Sequence, residues 1–408
     1  MSADRFRSTA AFLVYAFVVA TPFSLAAGSI LGVTVLVTGA VALALHAPAR
    51  AAIPRWVFVG VLGMVLWSAL ATATADPYPA KWLTWAKELW IKLFLLSATG
   101  LMVFARTRVD RVLVVYVAVG ALVAVFGILQ YLTGSIPFRD HVPPMRGDRW
   151  EIEAFYNHHL TYGGHVVVLW LLALARVVFG GTGARTRGLV HRGFGVSTLV
   201  LLSLGLYWSY ARSPQIGALA GFAVLLLVLP WKRRLVAAVV LAVTVVAALV
   251  SPTMRERYVD ALDLSTEQTR LLLWQSSIDG ISDRPWTGFG PGNFRAMMLG
   301  HEVPGDYDSR AHAHNDYLMQ AVNGGIPMLG FGLLFAGALI VFLWRWRRRP
   351  DGNADWIVVG ALAAHVALLA AGLFQVFQTD DEVEFTLYFT LACALAHVAQ
   401  RRRVETGG

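Results

Sequence analysis

Two histidines, an amide and a carboxylate crowd the head of an apolar run in "RAHAHNDYLMQAVNGGIPMLG", residues 310–330. A chain entering a membrane ordinarily places aromatic or basic anchors at that boundary. His312, His314, Asn315 and Asp316 are instead groups that move protons or hold polar ligands. Imidazole, with a reference pKa of about 6.5, can take up a proton near neutral pH. Read as a helix from Ser309 to Asn323, the stretch puts His314, Tyr317, Leu318 and Ala321 on one face and turns His312 elsewhere. Gly324-Gly325 would end that helix and Pro327 would start a membrane span. A short helix resting at the membrane surface and kinked into the next span is the expectation.

Arginines supply the second kind of chemistry. Arg212 stands in "SYARSPQ", a turn of few residues between two apolar runs. A charge near membrane depth marks a functional site unless it snorkels to lipid phosphates. Arg270 lies in "STEQTRLLLWQSSIDGI", which reads as a helix opened by a Ser265/Gln268 capping box and ended by Asp283-Arg284-Pro285. One arginine on such a helix is ordinarily just solvated. Arg146 and Arg149 stand among Asp148, Glu151 and Glu153, where salt bridging is the plain reading. Guanidinium binds phosphate oxygens in a planar fork, so a collection of arginines favours a diphosphate, and here a lipid-linked one.

Other motifs carry less. The glycines of "TGFGPGNF" make turns, because a dinucleotide loop needs a βαβ unit and Pro291 removes an N–H. His312 and His314 would diverge on a helix, and His158-His159 is distant in sequence, so no metal and no other cofactor is expected. The carboxylates of "QTDDEVE" mark a loop rather than a cation site.

The elements that position these groups must be membrane helices. The 408 residues are 57% hydrophobic and 14% charged, against about 25% charged in soluble domains. Twelve apolar stretches have span length, centred near residues 17, 36, 65, 96, 122, 168, 202, 221, 243, 335, 365 and 388. The N-terminus has the outline of a signal peptide, but the apolar run resumes at once in "ILGVTVLVTGAVALALH", which predicts a retained hairpin. Connecting loops alternate in character. One set, including "RTRVDR", "WKRR" and "RWRRRPDGNAD", holds most of the Lys and Arg; the other is net acidic. The positive-inside rule then puts both termini in the cytoplasm. The net charge of +9 is a topology signal and not a nucleic-acid patch. Cys393 is the single cysteine, so no intrachain disulfide forms.

The expected fold is all-α and polytopic, with about twelve transmembrane helices and a helical periplasmic module. Residues 1–250 would hold nine spans and a periplasmic loop near 133–158, residues 251–325 the module, and residues 326–408 the last three spans.

"ARSPQ" in a short outer turn, then "RLLLW…RPWTGFGPGNF", then "AHAHNDYL…NGGIP", in that order on a twelve-span chain, resembles the O-antigen ligase and polymerase family. The resemblance covers mainly residues 205–330. It implies a metal-independent, inverting glycosyltransferase of the GT-C type at the periplasmic face of the bacterial inner membrane. It further implies a polyprenyl-diphosphate-linked glycan as donor and, for ligases, lipid A-core oligosaccharide as acceptor. Residue by residue, Arg212 and Arg270 fall at the family's arginines associated with the donor diphosphate, and His314 at the histidine of its "HN" pair, the expected catalytic base. Arg146, Arg149, Asn315, Tyr317 and His312 remain secondary candidates. "ARSPQ" departs from the commoner serine-arginine-glycine turn, and His312 is an additional histidine.

An O-antigen polymerase or a protein O-oligosaccharyltransferase would share donor and residues. A membrane transporter fits less well, since its halves are usually related by pseudo-symmetry and these differ; a non-catalytic assembly scaffold is a further rival.

Overall fold

The computed structural model describes residues 3–146, 148–180, 189–250, 255–256, 258–259, 268–301 and 312–405. Among them are fifteen helices: α1 (Ala3–Ala20), α2 (Leu25–Leu45), α3 (Ala47–Arg50), α4 (Arg55–Ala73), α5 (Trp82–Ala105), α6 (Val109–Thr133), α7 (His159–Phe179), α8 (Leu189–Trp208), α9 (Arg212–Val228), α10 (Trp231–Val250), α11 (Gln268–Asp283), α12 (Phe294–Gly300), α13 (Asp316–Trp346), α14 (Trp356–Ala371) and α15 (Asp381–Glu405). A two-stranded antiparallel hairpin, β1 (Met145–Arg146) and β2 (Arg149–Trp150), interrupts the connection from α6 to α7.

The protein is an all-α, multi-pass membrane protein. Each of the twelve expected span centres falls inside a helix. Seven of these helices, α2, α4, α5, α6, α7, α13 and α15, are long and apolar enough to cross a bilayer. α9, α14 and the Gly193–Trp208 part of α8 are apolar but shorter.

α15 forms the axis: its residues from Val383 to Ala396 are all buried, and it packs on α5, α7, α14 and α6. A helix apolar all round needs neighbours on every side. Contact in lipid is driven by close packing, which small residues permit. A Cβ on Gly39 of α2 would sit 2.1 Å from the Ser97 carbonyl oxygen of α5, and one on Gly217 of α9 2.5 Å from the Ala367 oxygen of α14. The outward faces stay apolar, as Ile30, Val33 and Val37 on α2 and Val236, Val239 and Val243 on α10 show.

The bundle has two chemically distinct ends. At one, Arg401 of α15 bonds Asp355 at the head of α14, Gln400 bonds the Met102 and Thr107 carbonyls at the end of α5, and Arg348 reaches the Val228 carbonyl ending α9. At the other, the heads of α7, α9, α13 and α15 meet the C-terminus of α14. There α11 and α12 dock on the α4–α5 connection: Arg284 donates to the carbonyls of Ala75 and Asp76, and Asn293 to that of Pro79. At this second end, in the first turn of α15, lies a buried ion pair, Lys92–Glu384, at 2.7 Å. Such a pair persists only where further hydrogen bonds satisfy it, and Lys92 also donates to the carbonyls of Glu88 and Gln378.

The opening stretch differs from its sequence reading. The helix begins at Asp316. The expected start, Ser309, lies outside the described residues, as do all positions from 302 to 311. The first turns of α13 do not rest on a membrane surface: Asp316, Met319, Gln320, Ala321, Val322 and Asn323 are buried in protein. The kink at Gly324-Gly325 is present, with Pro327 just beyond it inside a helix that resumes. "GFGPG" explains the break. The N–H groups of Phe289 and Gly290 donate to the carbonyls of Val322 and Asn323, and Ile326 N–H donates to the Pro285 carbonyl. Gly325 has φ +72°, and a Cβ there would lie 2.4 Å from the Trp286 backbone, so glycine is required. α11 ends at Asp283 as the sequence indicates; its expected Ser265 cap lies outside the described residues.

Candidate active site

His314 is held in a left-handed backbone conformation, φ +49°. For a non-glycine residue this is uncommon and costs energy that surrounding contacts must supply. Asn315 caps α13, its side-chain oxygen accepting from the N–H groups of Tyr317 and Leu318. Its amide nitrogen donates to the Leu373 carbonyl at 3.0 Å. Asp316 N–H donates to the Gly372 carbonyl, and its carboxylate accepts from the N–H groups of Phe377 and Gln378. Gln320 donates to the Gln378 side chain. The segment after α14, residues 372–378, is thereby strapped across the head of α13.

That strap brings Gln375 to His314, Oε1 to Nδ1 at 2.9 Å. The His312 ring also meets that of His314, edge-to-face with centroids 4.2 Å apart. His312 Nδ1 accepts the backbone N–H of His314 at 3.2 Å. The expectation that His312 turns away therefore does not hold. It assumed helical rotation, and neither residue is helical. Burial pushes the His312 imidazole down to about 4, with the charges of His314 and His158 acting in the same direction. His312 is thus neutral at ordinary pH and serves as an acceptor for the backbone of His314. Among the secondary candidates, Asn315 is occupied by capping and strapping, and the Tyr317 hydroxyl donates to the Leu369 carbonyl at 2.7 Å. Both hold the fold of the site.

Arg212 opens α9, half-buried, after a connection of only Ser209, Tyr210 and Ala211. Tyr210 has φ +54°. Gln215 braces the turn by donating to the carbonyls of Leu206 and Tyr207 and accepting from the Tyr258 hydroxyl. Beside it, Tyr131 stacks on Trp208 at 4.8 Å, and the Arg149 guanidinium lies 5.8 Å from the Tyr131 ring. Arg149 therefore borders the Arg212 turn, while the Arg146 side chain lies outside what is described. The head of α7 joins this corner to the strap. A Cβ on Gly163 would lie 2.9 Å from Ala211, and one on Gly164 2.9 Å from Phe377.

Arg270 is half-buried on the first turn of α11. One turn later Leu273 is buried in a cluster with Phe289, Ala313, Met319, Val322 and Val376. Thus α11 shares a buried cluster with Ala313, next to His314, and with Val376 of the strap. Among the described residues no three His, Cys, Asp or Glu side chains converge as a metal-ligand group.

Two residues of this site were not singled out from the sequence. Gln375 sits 61 positions from His314, and nothing local flags it. Asp380, within "QTDDEVE", accepts from the Thr161 hydroxyl at 2.6 Å, and burial pushes its carboxyl up to about 7. Only its place in an acidic loop marked it.

Residues 197–331 match the family model described as O-antigen ligase. The matched segment holds Arg212, Arg270, His312 and His314, and ends just past the kink of α13. The matched segment therefore includes α9, α10, α11, α12 and the head of α13, whereas the strap carrying Gln375 and the α7 head lie outside it. Over that segment the chain is similar to the O-antigen ligase family. No curated protein matches the chain.

Proposed function

We propose that the protein transfers O-antigen polysaccharide from a polyprenyl-diphosphate carrier to a hydroxyl of lipid A-core oligosaccharide. The observation that carries this reading is His314, strapped in a left-handed conformation within the segment that matches the O-antigen ligase family, at the same end of the bundle as Arg212 and Arg270. In this reading twelve spans place both termini in the cytoplasm of the inner membrane and the site on the periplasmic face, in a GT-C-type arrangement with a periplasmic module near 251–325.

The donor enters laterally from the bilayer and its diphosphate is held by Arg212 and Arg270, with Arg149 or Arg146 at the border. The acceptor oxygen attacks the anomeric carbon as the bond to the diphosphate oxygen breaks, which inverts that centre. His314 takes the hydroxyl proton, and the arginines stabilise the charge developing on the leaving diphosphate. No metal or other cofactor takes part.

The test is reconstitution of the purified full chain with polyprenyl-diphosphate-linked glycan and three separate acceptors. Lipid A-core should be glycosylated, with turnover that survives exhaustive chelation. Transfer only to a second lipid-linked glycan would reassign the chain as a polymerase. Transfer only to protein hydroxyls would make it a protein O-oligosaccharyltransferase. Absence of transfer to any of the three, with donor still bound, would overturn the enzymatic reading.

A further inference from the structure

We infer that Gln375 is a positioning residue that fixes the tautomer of His314, keeping the proton on Nδ1 and directing the basic Nε2 at the acceptor hydroxyl. The inference deepens the reading above and rests on His314 being the base.

An amide oxygen can only accept a hydrogen bond. With the Gln375 amide oriented as it stands, Oε1 faces Nδ1 of His314 at 2.9 Å, and in that orientation Nδ1 donates. The lone pair then resides on Nε2. The hydrogen bond made by one ring nitrogen decides the role of the other. The partner that the strap supplies is a neutral amide and not a carboxylate. Gln375 cannot take the proton from Nδ1, nor can its charge change with pH.

The surroundings keep this contact in register. The backbone or side chains of Gly372, Leu373, Phe377 and Gln378, on both sides of Gln375, are bonded to Asn315, Asp316 and Gln320. Val376, next to Gln375, is buried in the cluster that also holds Ala313, next to His314. Between these anchors Gln375 has little freedom to leave the ring. His312 meets the same ring and accepts from the His314 backbone N–H, with His158 as a further titratable neighbour of His312. The Asp316 carboxylate is committed to the strap, and Asp380 to Thr161. At the His314 ring the strap thus presents a group that combines neutrality with an acceptor.

Two variants and one spectrum test this. Gln375→Glu keeps an acceptor of nearly the same shape but adds a charge. An opposite charge beside an imidazole favours its protonated form by about one to three pH units. The acid limb of kcat should therefore move up by about one pH unit. Gln375→Leu keeps the volume and loses the acceptor. It should lower kcat roughly 10- to 100-fold, the usual cost of removing a ring-orienting partner, with the KM for donor unchanged. In the full chain labelled with 15N-histidine, and with His314→Ala used for assignment, the His314 ring should show the Nδ1–H form. Gln375→Leu should convert part of it to Nε2–H. An Nε2–H ring in the unaltered protein, or a Gln375→Glu profile that does not move, overturns the inference. If Gln375→Leu changes the tautomer but not the transfer rate, the tautomer inference stands and the assignment of His314 as base falls.

Discussion

Two histidines stand in comparable company at opposite ends of the bundle. His397 Nε2 lies 2.9 Å from Asp355, the residue that caps α14; His314 Nδ1 lies 2.9 Å from Gln375, in the strap that follows α14. Both contacts join sequence-distant segments. Their chemistry differs. Asp355 is fully buried and also binds Arg401 at 3.0 Å and Arg349 at 3.7 Å. Burial works against its charged form, yet the His397 hydrogen bond and charge, with the two arginines, hold its carboxyl below the usual range. That end is an electrostatic clamp built around one carboxylate. At the His314 end the carboxylate of Asp316 is spent on backbone N–H groups, and the histidine meets the Gln375 amide and the His312 imidazole. A clamp is strongest when its histidine is charged; a base works only when its histidine is neutral. The same residue types thus make stability at one end and, in the reading proposed, chemistry at the other.

Substitutions can break that contrast. The largest effect is expected from His314→Ala. Loss of a positioned base costs roughly 10²- to 10⁴-fold in rate, while the lipid-linked donor should still bind because the arginines remain. Single-turnover transfer and a separate donor-binding measurement check both halves. His397→Ala should leave transfer per folded molecule unchanged, and equal losses in the two variants would erase the distinction between the ends.

Next come Arg212→Lys and Arg270→Lys. Each keeps the charge and loses the planar fork, so a loss of roughly 10- to 100-fold is expected, the equivalent of a charged hydrogen bond. Normal activity in either variant, correctly inserted, would remove that guanidinium from the diphosphate clamp.

Asp355→Asn should act on stability alone. It deprives Arg401 and His397 of their charged partner, a loss of about 1.5–3 kcal/mol for hydrogen bonds to a charged group. Thermal denaturation in detergent should shift down while the rate per folded molecule holds. A catalytic defect without destabilisation would show that the clamp reaches the site.

The smallest effect sharpens the comparison through pH. His312 has its pKa depressed to about 4 from 6.5, so the folded state resists its protonation. Stability is unaffected above 6.5 and falls as pH drops from 6.5 towards 4, because the unfolded chain binds the proton first. The slope is on the order of 1 kcal/mol per pH unit. His312→Asn keeps an acceptor for the His314 N–H and does not titrate. Its denaturation temperature should fall less between about pH 6.5 and 5 than that of the unaltered protein; identical slopes would locate the acid sensitivity elsewhere.

Hydrophobic run length and loop charge are local properties, and they carried the helical membrane character of the chain and the position of every long helix. Local too were the Arg212 turn, the end of α11 at Asp283 and the break at Gly324-Gly325, because charge between apolar runs, Asp-Arg-Pro and Gly-Gly-Ile-Pro act within a few residues. The order of motifs was enough to reach the family whose model matches residues 197–331. What tertiary structure alone decided is how His314 is held. Helical periodicity made it one face of a surface helix with His312 behind it. Asn315 instead starts the helix by accepting from Tyr317 and Leu318, and a strap 58 to 62 residues away binds the freed segment. The hydrogen bonds that overrode the periodic reading belong largely to backbone groups with no side-chain signature in the sequence. Gln375 was invisible for a related reason: an amide gains a role only from the ring it is folded against.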